Sequence, residues 1–286
     1  MKYLLIFSIW LAAASCQSPA RKAAASAPSN GNFPYSLKPS ASFTMPPELK
    51  EISGITFLQT RPNTIYAIQD ENGILFQYDL VAKKITKEST FAGKGDYEEI
   101  AATDDYFYVL KSNGVIHSIP ANAKVDAKNT FVNKKLVPKG EYESLAFSPS
   151  LNSLFLLCKD CEVDKNEKTV SGYILSIGAE GKLVLDRPFS VSIEALSAHD
   201  KNIKKTFNPS AMAWRQSSNE WYILSSIDLA IVVTDANFNP KSVIPLDRKN
   251  FPQPEGIAFD TQENLYISSE AGKEKRGMIF KFNHSR

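Results

Sequence analysis

The sequence predicts an all-β chain folded as a five-bladed β-propeller, and three observations lead there. One five-residue pattern recurs five times, each copy is followed by a second apolar strand, and strong helix signals are nearly absent. The copies are Ser53-Gly54-Ile55-Thr56-Phe57, Glu98-Glu99-Ile100-Ala101-Ala102, Glu143-Ser144-Leu145-Ala146-Phe147, Ser210-Ala211-Met212-Ala213-Trp214 and Glu255-Gly256-Ile257-Ala258-Phe259. Their offsets are 45, 45, 67 and 45 residues. Four short antiparallel strands at such a period describe a propeller blade.

Each repeat then unfolds in order. The second strands are residues 65–68, 107–110, 154–157, 221–224 and 265–268. A third strand follows a turn, as in residues 73–78 behind Asn72-Gly73, a hairpin signal, and in residues 114–118 and 277–282. A fourth, more polar strand carries the chain outward, for example residues 241–246. The last repeat stops after its third strand, so residues 35–45 are expected to supply its outer strand and close the ring, removing an exposed edge. The longer third interval is expected to hold loops at 195–207 and 161–170. A degenerate sixth blade is the alternative count.

Composition narrows the functional classes. Among 286 residues, 43% are hydrophobic, enough for a large core, and a formal charge of +2 gives no basic field for nucleic acid. Three cysteines cannot build a disulfide scaffold. At the N-terminus Met1-Lys2 leads an apolar run over residues 3–14, ending in Ala13-Ala14-Ser15-Cys16. This resembles a bacterial lipobox, with Ala in place of Leu three residues before the cysteine, and implies cleavage before a lipidated Cys16. An ordinary secretory signal cut nearby is the plainer alternative. The expected organisation is a signal peptide at 1–15, a flexible Ala/Ser/Pro-rich tether at 16–33 and the propeller at 34–286. Localisation follows: the bacterial cell envelope, lipid-anchored at the outer membrane or facing the periplasm.

The first strand of each blade lines the central channel. Its lead residue and the residue leaving the second strand therefore face one end of the ring. The lead residues are Ser53, Glu98, Glu143, Ser210 and Glu255; the exit residues are Asp70, Ser112, Lys159, Ser226 and Glu270. Carboxylates converging from several blades must be neutralised by protons or by a cation. Oxygen ligands alone suit a hard cation, Ca²⁺ before Mg²⁺, and the lack of Cys or His argues against zinc. The candidate ligands are Asp70, Glu98, Glu143, Glu255 and Glu270, with Ser53, Ser112, Lys159, Ser210 and Ser226 lining the same funnel. The competing explanation is that the glutamates cap backbone N–H groups between blades without a metal.

Glu51-Ile52-Ser53-Gly54-Ile55, Gln69-Asp70-Glu71, Gly95-Asp96-Tyr97-Glu98, Tyr142-Glu143-Ser144-Leu145, Asn208-Pro209-Ser210 and Gln253-Pro254-Glu255-Gly256-Ile257-Ala258 resemble the SdiA-regulated family. The resemblance runs from about Phe43 to Phe282. It implies a five-bladed propeller, distantly similar to NHL-repeat proteins, with a calcium ion at a shared site and no established activity. Glu99 and Ser144 stand where the family usually has Gly, and the bulk of Glu99 is expected to narrow the funnel.

Other constellations carry less. Cys158-Lys159-Asp160-Cys161 reads as a small structural disulfide or two idle thiols, since no helix N-terminus is present to activate a thiol. His117, His199 and His284 fall at unrelated repeat positions. Residues 201–205 read as a solvated loop, with contact to an anionic ligand as the minor reading. Two functions remain: a binding module whose calcium fixes the funnel and whose face holds a small molecule or protein, and a lactonase- or esterase-like hydrolase using the ion as Lewis acid with Glu143 or Glu98 as base.

Overall fold

A computed structural model describes residues 33–203, 205–271 and 276–285. The signal peptide and nearly all of the tether lie outside these residues. Strand β1 (Ala41–Thr44) comes first. The first blade is β2 (Ile52–Phe57), β3 (Thr64–Gln69), β4 (Asn72–Asp79) and β5 (Lys84–Lys94). The second is β6 (Tyr97–Ala102), β7 (Tyr106–Lys111), β8 (Ile116–Pro120) and β9 (Phe131–Asn133). The third is β10 (Gly140–Ser148), β11 (Ser153–Cys161), β12 (Thr169–Ile177) and β13 (Leu183–Ser192), followed by helix α1 (Ile193–His199). The fourth is β14 (Ala211–Arg215), β15 (Glu220–Ser225), β16 (Ala230–Thr234) and β17 (Pro240–Pro245). The fifth joins β18 (Pro254–Phe259), β19 (Leu265–Ser269) and β20 (Met278–Phe282) to β1.

Five separate four-stranded sheets result, each antiparallel, which decides for five blades over six. The inner strands β2, β6, β10, β14 and β18 pack each against the next, and β18 returns to β2, so the ring is complete. Closure uses the N-terminal strand as the sequence predicts. β1 pairs with β20, Ala41 opposite Lys281 and Thr44 opposite Met278, and Tyr35 bridges to His284 beyond it.

The core is five apolar clusters, one in each seam between neighbouring blades. This explains why second strands are built around an unbroken apolar run: β15 and β19 are buried at every residue, covered by a blade on each face. In the seam between blades three and four, Trp221 stacks on Phe238 at 5.4 Å and lies 4.5 Å from Phe155. Truncating such a fully buried Trp costs about 3–5 kcal/mol.

The third repeat departs from expectation. Part of the span expected as a loop at 195–207 is helical, because Ser192 Oγ accepts the Ala195 N–H at 3.2 Å and Ile193 and Leu196 are buried in the neighbouring cluster. Residues 162–164 form a 3₁₀ turn rather than open loop, and the long β12 and β13 absorb more of the added length.

Candidate functional site

The funnel is aimed by a repeated irregularity. The pairing of inner with second strands breaks register between Ile52 and Ile55, Tyr97 and Glu99, Tyr142 and Ser144, and Pro254 and Gly256. The skipped positions hold the lead residues Ser53, Glu98, Glu143 and Glu255. A bulged residue has no partner opposite it, so its side chain turns out of the ladder. In blade four, Ser210 stands just before β14 and its N–H donates to Leu224 O at 2.8 Å.

Lead and exit residues meet in one cavity of about 480 Å³. All five lead residues line it, as do Asp70, Lys159, Ser226 and Glu270. Ser112 does not: its hydroxyl donates to Asp96 Oδ2 at 2.5 Å and its carbonyl accepts from Tyr142 N at 2.8 Å, tying blade two to blade three. Glu99 does not narrow the cavity either. Its carboxyl is fully buried against Gly54, where a Cβ would stand 2.6 Å from Ile100 N, and Oε1 accepts from that N–H at 2.9 Å. Burial pushes its pKa well above the usual carboxylate range. Sequence reasoning missed Asp96, Asn208, Ile227, Arg248 and Gln253 as lining residues. Asp96 was within reach through Gly95-Asp96-Tyr97-Glu98. Arg248 was not, because it comes from an irregular connection outside the repeat.

Several serines serve the scaffold. Ser53 Oγ donates to Glu98 O, and Ser210 Oγ donates to Pro254 O at 3.4 Å, each reaching the next blade. Ser226 Oγ donates to Glu255 Oε1 at 3.2 Å, and Gln253 Nε2 to Glu270 Oε2 at 2.8 Å. Lys159 Nζ contacts Glu143 Oε1 and lies 3.3 Å from Glu141 Oε1. Cys158 and Cys161, on either side of Lys159, form a disulfide.

Six carboxylates (Asp70, Asp96, Glu98, Glu143, Glu255 and Glu270) line the cavity against Lys159 and Arg248, an excess of four negative charges if all ionise. Most cannot do so easily. Burial, then repulsion from Glu143 and Asp96, pushes Glu98 up to about 9. Burial, then Glu270 and Glu143, takes Glu255 to about 8. Burial with Asp70 and Glu51 takes Glu270 to about 7. Asp70 is also raised, by burial first, and its Oδ1 is buried without a hydrogen-bond partner among the described residues. Burial opposes the charge on Lys159, but its contacts with Glu143 and Glu141 outweigh it and raise its pKa.

An all-oxygen set with an orphaned, buried acceptor fits a hard cation. The fit is loose. Among the described residues, only Cys158, Cys161 and Asp164 bring three metal-ligating atoms within 4.8 Å of one another, and that pair of sulfurs is spent in the disulfide. The opposite mouth of the ring is different in kind. A cavity of about 510 Å³ there is edged by Phe57, Phe147, Trp214 and Phe259. Ionisable chemistry is thus concentrated at the acidic mouth.

The family model described as SdiA-regulated matches residues 44–273. Among solved structures the chain is similar to the glutaminyl cyclase of Myxococcus xanthus, with TM-score 0.60 and 11% identity over 86% of this chain and 94% of that one. It is also similar to a luciferin-regenerating enzyme, with TM-score 0.53 and 10% identity over 85% of this chain and 95% of that one. At such identities the likeness is one of fold. No curated protein sequence matches the chain.

Proposed function

The chain belongs to the SdiA-regulated family, and on that premise we propose that it is a cell-envelope propeller, lipid-anchored at Cys16, whose funnel holds a hard divalent cation. Calcium is favoured over magnesium, because wide spacing of the carboxylates suits a flexible, partly hydrated coordination shell. The loaded funnel then serves as a binding face for a small molecule or a protein. The observation that carries this reading is the convergence of Glu98, Glu143 and Glu255, on bulges of three blades, with Asp70 and Glu270 in one cavity. Asp70, Glu98, Glu255 and Glu270 would hold the ion. Bound there, it supplies the positive charge that lets them ionise, and it links blades that otherwise touch only their neighbours.

The hydrolase alternative finds less support. Of its two candidate bases, Glu143 is engaged by Lys159 and Glu98 is among the residues that would hold the ion.

Calorimetric titration with CaCl₂ and MgCl₂, together with melting curves, tests the proposal. Calcium is expected to bind and to raise the melting temperature more than magnesium; binding to the native state alone at about 100 times Kd adds roughly 2.7 kcal/mol. Glu255→Gln should remove most of that response, while Glu162→Gln, whose side chain is 82% exposed, should not. A melting curve unmoved by EDTA, with no heat of calcium binding, ends the cation reading.

A further inference from the structure

Blade three differs from the others where it meets the funnel. Its exit residue is Lys159, whereas the equivalents are Asp70, Ser112, Ser226 and Glu270. The ammonium contacts Glu143 and sits 3.3 Å from Glu141, so a cationic group already occupies one side of the carboxylate ring. Its charge also reaches further, easing ionisation of Glu98 and Glu255.

Lys159 stands at a junction. It lines the funnel and also a second cavity of about 720 Å³, as does Asn208. That cavity belongs to the lengthened third repeat: its walls come from the β11–β12 connection, from α1 and from Thr206–Asn208. The backbone at Lys159 is fixed by the disulfide around it and by Asn208 Nδ2, which donates to its carbonyl at 3.3 Å. The freedom left is that of a four-carbon stem with a compact charge at its end, able to turn toward either cavity. The walls of that cavity carry four carboxylates, Asp160, Asp164, Glu167 and Glu194, beside the lysines Lys165, Lys168 and Lys205.

We infer that Lys159 is the resident counter-ion of the funnel, and that a divalent cation entering the funnel displaces its ammonium from Glu143 into the blade-three cavity. The inference rests on the cation reading above and adds a specificity-determining residue to it. A monovalent ion offers Glu143 no more charge than Lys159 already does, so the tethered ammonium selects for divalent ions. Displacement frees Glu143 toward the metal and places a new positive charge in the neighbouring cavity.

Two measurements on the full chain decide it: calcium calorimetry of wild type, Lys159→Gln and Lys159→Arg, and acetylation of wild-type lysines read by mass spectrometry with and without calcium. Removing the competitor should tighten calcium binding roughly tenfold or more. Lys159→Arg, which keeps the charge, should bind no tighter than wild type. Acetylation of Lys159 should rise with calcium, while that of exposed Lys87 on β5 stays constant. Equal affinities for wild type and Lys159→Gln, or Lys159 acetylation that calcium leaves unchanged or lowers, overturn the inference and leave the cation site standing. Absence of calcium heat in wild type and both variants removes the cation reading and this inference with it. If Lys159→Gln fails to fold, the acetylation of wild type decides alone.

Discussion

The hydroxyl of Ser268 donates to the carbonyl of Ser53 at 2.7 Å, joining the last blade to the first across 215 residues of chain. The approach depends on Gly256: a Cβ there would collide with Ser268 Oγ and stand 2.6 Å from Ser53 O. The glycine of the Pro254-Glu255-Gly256-Ile257 element is therefore a condition for closing the ring at its axis, beside the funnel glutamate it follows.

Gly256→Ala should push this seam apart and destabilise the protein by about 1–3 kcal/mol, as overpacking does. Ser268→Ala should lose about 1 kcal/mol by removing the bond alone. Denaturant midpoints measure both; two unchanged midpoints would show that the seam does not limit stability.

Deleting residues 34–45 removes β1 and leaves β20 as an unpaired edge. It also removes Tyr35, whose hydroxyl donates to Glu263 O at 2.7 Å. Lower melting temperature and aggregation are expected, followed by calorimetry and light scattering. A soluble truncation with the wild-type melting point would show that the ring holds without its closing strand.

The raised carboxyls set a pH dependence with a definite sign. In the unfolded chain Glu98, Glu255 and Glu270 ionise near 4.5, but in the folded chain at about 9, 8 and 7. Between these values the folded state binds more protons, so stability is full below 4.5 and falls as pH climbs through 7 to 9. The chelated protein should therefore melt progressively lower from pH 5 to pH 9, with Glu98→Gln flattening part of the slope. Calcium should flatten it too, by favouring the ionised forms. A metal-free melting temperature that rises over this interval would contradict the burial of these groups.

Cys16→Ser should move the protein from the membrane fraction to the soluble fraction, as immunoblots of fractionated cells would read. Unchanged membrane association would rule out the lipid anchor. Loss of a single acyl-bearing residue is decisive because stable attachment by acyl chains needs the full lipid signal.

How much of this was legible in the sequence depends on whether a feature repeats. The five inner strands and the closing strand at Ala41–Thr44 could be read because every blade meets the same packing demand. Lead residues such as Glu98 and Glu255 could be placed on one face for the same reason. Features particular to one blade were hidden. Helix α1 has only seven residues, too few to stand on propensity, and is held by Ile193 and Leu196 in a seam that a local pattern does not reveal. Ser112 occupies the repeat position of a lining residue, yet hydrogen bonding to Asp96 turns it aside. The pairing of Lys159 with Glu143 depends on a bulge opposite a disulfide loop, a relation between two strands and not a property of either. The cysteines allowed a disulfide or idle thiols, and the structure joins them in a disulfide at the end of β11.

The pairing of β1 with β20 also orders events in time. Ser40 N–H donates to Lys281 O at 2.8 Å, and the two residues are 241 positions apart. Whether the chain emerges from the ribosome or from an export channel, β1 comes out early and its partner comes out last. Blades one to four can form from local hairpins as they emerge, but the circle stays open and β2 keeps one bare flank until β18 arrives. The final folding step is thus a long-range annealing of the oldest strand to the youngest. It waits for the whole chain, and it makes β1 the segment longest exposed to wrong partners while the ring is still open.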